Sequence, residues 1–455
     1  MPRRDFEFQG LPVLSDAAWP PGPPDPIDHI AMRRDPLSFV TSLSPEYGDI
    51  TSHVVAGERM VMLHHPDHVG HVLRDRAASY TKEGTVDVKM LRPLLGNGLL
   101  TSSGEAWAWQ RKAYAPAFRP ARVTAYDAAV TAATSEVLLP RFHAAARDEQ
   151  TVRVDHLLTS LTLSVLLRVV QGADIGDVGA GFGRAVDDVN EFMSLMDPMA
   201  DGVEAARRRW IAFQKARALL RMVATSLIAT RRGRTTSEDD LLARVLIDQH
   251  IGSDEELRDQ VLTLVMAGHE TTAKSLTWAL YLLNRHPVER ARLEEEVDSV
   301  LEGRTPTAAD VLSLARCQHV VEEAMRLYPP VWTMTRRATD EDEIAGFRIP
   351  SGTFVSFSQW EIHRDPRWHD EPTDFVPDRF EDGRRSAMHP FAYFPFGGGQ
   401  RICIGQHLAL MEATLVLAMT VQRFRVAVAT DAVIEPEALV TLRPVNGLPC
   451  TVSER

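Results

Sequence analysis

The residues Phe396-Gly397-Gly398-Gly399-Gln400-Arg401-Ile402-Cys403-Ile404-Gly405 set one cysteine in a glycine-rich loop, just ahead of a long apolar segment. A cysteine before a helix N-terminus is stabilised as thiolate by the helix dipole and by the free N–H groups of the loop. The glycines let backbone come close to a flat ligand. No second cysteine or histidine ligand lies nearby, which does not suit zinc, since that ion takes four ligands. A lone thiolate does suit haem, where the porphyrin supplies the other four donors.

A second group that could do chemistry is Ala267-Gly268-His269-Glu270-Thr271-Thr272. It sits in the middle of a helical pattern that starts at the capping box Ser253…Glu256 and runs over 254–285, ending before His286-Pro287. At 1.5 Å per residue that helix is about 48 Å long, so it must cross the centre of the chain's core. Small and polar residues at the centre of a buried helix conflict with packing, and such conflicts mark functional sites. His269-Glu270 opens an HExxH-like string, but Ala273 stands where the second histidine ligand would be, which excludes zinc. A third group, Glu323-x-x-Arg326, closes a helix stopped by Pro329-Pro330.

Taken together, Phe396-x-x-Gly399-x-Arg401-x-Cys403-x-Gly405 resembles the haem-ligand signature of the cytochrome P-450 superfamily. Three further motifs match in the family's order. Ala267-Gly268-x-Glu270-Thr271 resembles its oxygen-activation segment and Glu323-x-x-Arg326 its ExxR helix. Pro377-Asp378-Arg379-Phe380 resembles the PERF box, with Asp378 for the usual glutamate. Upstream, Trp107-x-x-x-Arg111 resembles the helix that contacts the haem. The match covers the chain from about residue 40 to its end.

The resemblance implies a mostly α fold with a small β-rich region and a long central helix over the haem. It implies haem b with Cys403 as axial ligand, and Phe396, Gly399, Gly405 and Ala267 around it. Arg401, Arg111 and either Arg336 or Arg337 become candidate propionate partners, because a planar guanidinium pairs bidentately with carboxylates. Arg336 fits the family position better, and Trp107 could reach a propionate through its indole N–H. Glu270 and Thr271 would manage protons. Glu323, Arg326 and Arg379 would form a buried ion network with a structural role. Thr263, Ala267, Val331, Trp332 and Met334 would line a substrate pocket roofed by Met193 and Met196. A methionine wall is deformable and suits bulky apolar ligands, so terpenoid, steroid or fatty-acyl substrates are favoured. The implied activity is a monooxygenase reaction with O2. Two alternatives stay open: a haem-thiolate enzyme that uses peroxide or isomerises, and a non-catalytic haem sensor. The Glu270–Thr271 pair argues against both, since neither needs a proton relay.

The elements that must position these residues follow from patterning. Prolines 20, 21, 23, 24 and 26 suggest an extended leader over residues 1–40. Strands are expected at about 45–65, with a turn at Ala56-Gly57, and at about 330–360. Helices fill most of the remainder, the last from about Gln406 to Phe424. No repeat or linker divides residues 1–455, so a single domain is expected. The chain has 44% hydrophobic and 25% charged residues, near globular averages, which excludes disordered, collagen-like and coiled-coil classes. Its net charge of −12 argues against nucleic-acid binding.

The three cysteines, Cys317, Cys403 and Cys450, form no disulfide framework and suit a reducing compartment. Asp5 and Glu7 interrupt any signal-peptide core. The longest strongly apolar run, Leu157 to Leu167, is well short of the ~18 residues that span a bilayer. A cytoplasmic protein with no membrane span is expected. No flavin or nicotinamide motif occurs, so electrons must come from a separate ferredoxin-type or flavodoxin-type donor. Arg111, Lys112, Arg119 and Arg122 occur with no acidic residue between them and form the candidate docking face.

Overall fold

A computed structural model describes residues 19–171, 185, 186, 188, 189, 192, 203–232, 253–381 and 383–455. Met193 and Met196 lie outside the described residues. The fold is mostly helical with small sheets. Its contacts group the chain into two compact units, each assembled from three stretches.

The first unit draws on residues up to Lys89, on Trp332–Pro372 and on Met388–Ile402. Its sheet runs in the order Ile50–Val55, Glu58–Leu63, Phe354–Phe357, Met334–Ala338, Tyr80–Thr81. The first two strands are an antiparallel hairpin with Val55 opposite Glu58. Ala56 and Gly57 both take positive φ, 50° and 81°, the two-residue turn whose twist matches that of the strands. Glu58–Leu63 pairs in parallel with Phe354–Phe357. The core beneath includes Val61, Leu63, Val72, Val355, Phe357, Phe391 and Phe394.

The expected leader over 1–40 is shorter. Residues His29–Arg34 and Pro36–Tyr47 are helices, capped by Asp28 and Asp35, whose side chains accept from Ile30 and Ser38 N–H. Pro36 sits at the first helical position, where its missing N–H costs nothing. Among the described residues, the proline run before Ile27 lies outside any helix or strand. Pro21 C=O accepts from Ser52 N–H and Pro20 C=O from the Ser52 hydroxyl, which ties that run to the first strand.

The second unit comprises Met90–Val331, Thr373–Ala387 and Cys403–Arg455. Its axis is the helix Asp254–Arg285. Ser253 caps it by accepting from Glu256 N–H at 3.2 Å. Asp254, Glu255 and Glu256 complement the dipole in its first turn. Helix Val154–Gln171 packs along it, and at Gly268 the approach is close enough that a Cβ would stand 3.0 Å from Leu166. Helices Ala315–Leu327 and Gln406–Val421 complete the surroundings.

The last helix ends at Val421, three residues before Phe424, because Phe424–Val428 is a strand. That strand pairs with Pro449–Glu454, which also pairs with Val152–Arg153. Pro436–Ala438 and Leu442–Pro444 form a further hairpin. The C-terminal part is thus richer in strand than expected.

Candidate active site

Gly398 and Gly399 press the cysteine loop onto its own unit. A Cβ at Gly398 would lie 2.4 Å from the Phe391 ring. One at Gly399, where φ is +63°, would lie 1.7 Å from the Leu73 carbonyl oxygen. Phe396 and Arg401 are half-buried here. Gly405 differs: its would-be Cβ would stand 3.9 Å from the Phe118 ring and 4.0 Å from Cys403 Sγ. A side chain there would fill the space beside the sulfur.

Of the three cysteines, Cys403 alone is exposed. Burial is nevertheless the largest influence on its thiol, pushing it up. Two groups oppose that: the Gly405 N–H, which hydrogen-bonds the sulfur, and the Arg111 guanidinium. Gly405 also caps the helix Gln406–Val421, so the dipole adds in the same sense. Cys317 is pushed far up by burial and by Glu296, and Cys450 to about 12 by burial and Asp155. Cys403 is therefore the cysteine with thiolate-stabilising partners.

Arg111 and Trp107, half-buried, lie four residues apart on the helix Gly104–Tyr114. Lys112 and Arg119 are exposed, and Arg122 is half-buried.

On the long helix, Ala267 is exposed and Gly268 and Thr271 are half-buried, while Leu257–Val265 (Arg258 apart) and Thr272–Leu280 are buried. Ala267 and Thr271 are four apart and so share a face, and the helix runs unbroken through both. The Thr271 hydroxyl donates to the Ala267 carbonyl at 3.1 Å. Glu270 is buried and accepts from the Thr441 hydroxyl at 2.7 Å. The Thr162 hydroxyl donates to the His269 carbonyl at 2.8 Å. Thr441 and Thr162 were not singled out by sequence; they lie far along the chain from residues 269 and 270 and belong to no motif.

Glu323 and Arg326 are fully buried. Arg326 Nε and Nη2 donate to the two Glu323 oxygens at 2.7 and 2.8 Å, and Nη2 also donates to Asp374 C=O at 2.9 Å. Glu323 Oε1 further accepts from Val376 N–H at 3.0 Å and Arg379 Nε at 3.4 Å. The three residues come together, and the carboxylate grips the segment 374–379. Asp378 faces outward from this network to Arg316 and Arg292.

In the first unit, strand alternation separates Arg336 from Arg337. Arg337 donates to Gly352 C=O and lies over the Phe354 ring. Arg336 is 4% exposed, and burial pulls its guanidinium down to about 10. Lys82, also buried, is pulled down by burial and feels both Arg336 and Arg401. Asp87, 3.0 Å from Lys82, also feels Arg336. A cluster rich in cations suits the carboxylates of a haem. Lys82 is a member of this cluster that the sequence did not disclose.

The proposed pocket residues divide. Thr263 is buried with its hydroxyl against Gly98, where a Cβ would meet it at 1.9 Å. It therefore packs against the backbone at Gly98 and does not face open space. Trp332 packs on the cluster of Val40, Leu43 and Met62, and Met334 lies over Gly397 and the sheet core. Val331 is half-buried.

Residues 21–450 match the family model described as Cytochrome P450. The chain belongs to the cytochrome P450 family. As a P450 it is a haem-thiolate monooxygenase that acts on lipophilic molecules with O2 and a redox partner. It is 36% identical to cyclooctatin synthase of Streptomyces melanosporofaciens, with 91% of this chain and 90% of the relative covered. It is 32% identical to pentalenene oxygenase of Streptomyces avermitilis, with 90% and 91% covered. Among solved structures, the P450DA heme domain superposes with a TM-score of 0.86 at 27% identity, covering 96% of this P450 and 98% of that chain. No helix among the described residues is long and apolar enough to cross a membrane. Each unit by itself carries residues whose chemistry suits haem: in the second an exposed cysteine whose sulfur takes an N–H donor, in the first a cluster of cations.

Proposed function

We propose that this P450 hydroxylates a C–H bond of a polycyclic terpenoid. The observation that carries the reading is an exposed, N–H-supported Cys403 in a chain that also sets a buried Glu270 and a half-buried Thr271 side by side on the long helix. Bound haem supplies O2 activation and transfer of one oxygen atom to carbon. Cys403 would hold the iron. In the first unit Arg336 and Arg401, with Lys82, would balance propionate charge, and in the second Arg111 and the Trp107 indole N–H would do the same. Phe396, Gly399 and Gly405 would shape the cysteine loop, and the small Ala267 would leave room for the group.

The terpenoid assignment rests on similarity to cyclooctatin synthase, cyclooctat-9-en-7-ol 5-monooxygenase and pentalenene oxygenase. Binding titrations of the holoprotein test it. Pentalenene and cyclooctat-9-en-7-ol are expected to shift the Soret band at lower concentration than a steroid or a fatty acid. Tighter binding of either of the latter overturns the class.

Thr271 holds and passes a proton with the help of water, and Glu270 supplies it. Thr271→Ala is expected to bind substrate within about twofold of wild type and still consume reductant, while most of the oxygen appears as hydrogen peroxide. Product formed per reductant consumed, assayed with peroxide, checks this. A wild-type yield and rate place proton delivery elsewhere.

The electron donor is a small acidic ferredoxin-type or flavodoxin-type protein in the same cytoplasmic compartment, and it docks on Lys112 and Arg119, with Arg122 at the edge. Electrostatic steering makes the reduction rate fall steeply with ionic strength. Reversing Lys112 and Arg119 to glutamate is expected to slow reduction by about tenfold or more at low salt. A rate indifferent to both salt and charge reversal moves the docking site to another face.

A further inference from the structure

We infer that Thr441 is a positioning residue for Glu270: its hydroxyl fixes the orientation of the carboxylate, and so the direction in which Glu270 passes a proton. This deepens the proton-delivery role proposed for Glu270 and rests on it.

The geometry carries the inference in three steps. First, the Thr441 Oγ1–Glu270 Oε1 hydrogen bond is 2.7 Å long and buried, and both side chains are under one-tenth exposed. A hydroxyl bond to a carboxylate in such surroundings is strong, because water does not compete for it. Second, Thr441 cannot drift. The next residue, Leu442, is fully buried, and its N–H donates to Pro330 C=O at 3.0 Å. Its C=O accepts from the Trp278 indole N–H at 3.1 Å. Trp278 is itself fully buried and stacked on Tyr328, with ring centroids 3.9 Å apart and planes within 6°. The Thr441 C=O accepts from Leu439 N–H, closing the loop of the hairpin.

Third, the anchor is carried by the same helix it serves: Trp278 lies two turns beyond Glu270 on Asp254–Arg285. A carboxylate side chain has three rotatable bonds to be fixed. Here one oxygen is held by a group whose place is set by three backbone and indole bonds. The peptide carbonyl just before Glu270 is meanwhile gripped by Thr162 from the neighbouring helix. Both the backbone and the carboxylate at this position are thus fixed from outside.

The test uses the haem-loaded enzyme. Thr441→Val keeps the branched shape and removes the hydroxyl, whereas Thr441→Ser keeps the hydroxyl. In a crystal structure of the Thr441→Val holoenzyme, Glu270 is expected to leave the position it holds beside residue 441 or to split between rotamers. In Thr441→Ser it is expected to stay. With the terpenoid of the panel above that binds best, Thr441→Val should lower kcat by about tenfold. Its solvent deuterium isotope effect should rise, and its substrate affinity should change by less than about twofold. Thr441→Ser should restore both kcat and the isotope effect. The double variant Thr441→Val/Glu270→Ala should turn over no more slowly than Glu270→Ala alone, since positioning an absent carboxylate has no effect.

An unmoved Glu270 in Thr441→Val, or additive losses in the double variant, overturns the inference. Normal turnover and coupling in Glu270→Ala instead overturns the proton-delivery reading, and the crystal structures still decide whether Thr441 holds the carboxylate.

Discussion

Cys403→Ala is expected to abolish the red-shifted Soret band that the reduced protein gives with carbon monoxide, and with it product formation, down to background. Cys317→Ala and Cys450→Ala are expected to keep both. The difference lies in surroundings and not in residue type. Cys317 and Cys450 are buried, and each has a nearby carboxylate that disfavours a thiolate. Cys403 is accessible, is approached by the Gly405 N–H and Arg111, and precedes a helix. Neither of the other two cysteines combines exposure with partners that stabilise negative charge, so neither would substitute as iron ligand. The carbon monoxide difference spectrum of the three variants checks this, and a normal band in Cys403→Ala would refute the ligand assignment.

Glu323→Ala should leave no stable holoprotein at physiological temperature. Removing this carboxylate strands Arg326, which is fully buried, and also releases Val376 N–H and Arg379. Breaking one side of a buried ion network costs on the order of 3–5 kcal/mol, a large share of the roughly 5–15 kcal/mol that holds a domain folded. Glu323→Gln, which keeps the shape and one acceptor, should retain more folded protein and still load haem poorly. Haem content per folded chain and thermal unfolding of the purified variants measure both effects. A Glu323→Ala protein with wild-type haem content and melting temperature would show that the segment 374–379 needs no such grip.

Local spacing made much of this legible. Ser253 and Glu256 signal the start of the long helix and Pro287 its stop, and the structure has it over Asp254–Arg285. Glu323 and Arg326 are three apart on one helix, so their meeting needs no tertiary knowledge. The Ala56-Gly57 turn announces its hairpin. Pairings between distant segments were not legible. Thr441 meets Glu270, and Lys82 feels Arg336 and Arg401, through register and packing that no window of the chain displays. Choosing between Arg336 and Arg337 required knowing which face of a strand points where. The proline run drew attention away from Asp28 and Asp35, whose capping geometry makes helices within the expected leader. The short C-terminal strands, of three to six residues, leave too little alternation to be told from loops.

The parallel pairing of Glu58–Leu63 with Phe354–Phe357 sets a schedule for biosynthesis. The hairpin at Ala56-Gly57 closes as soon as its own residues leave the ribosome, since its contacts are local. Its free edge then waits for a partner roughly 290 residues downstream, on the order of 15–60 s at ordinary elongation rates. Through that interval Met60–Leu63 presents unpaired backbone and apolar side chains, the features that recruit foreign strands. The nascent chain is therefore most exposed to misassociation after its first strands form and before Phe357 arrives, and a holding chaperone has its greatest effect in that window.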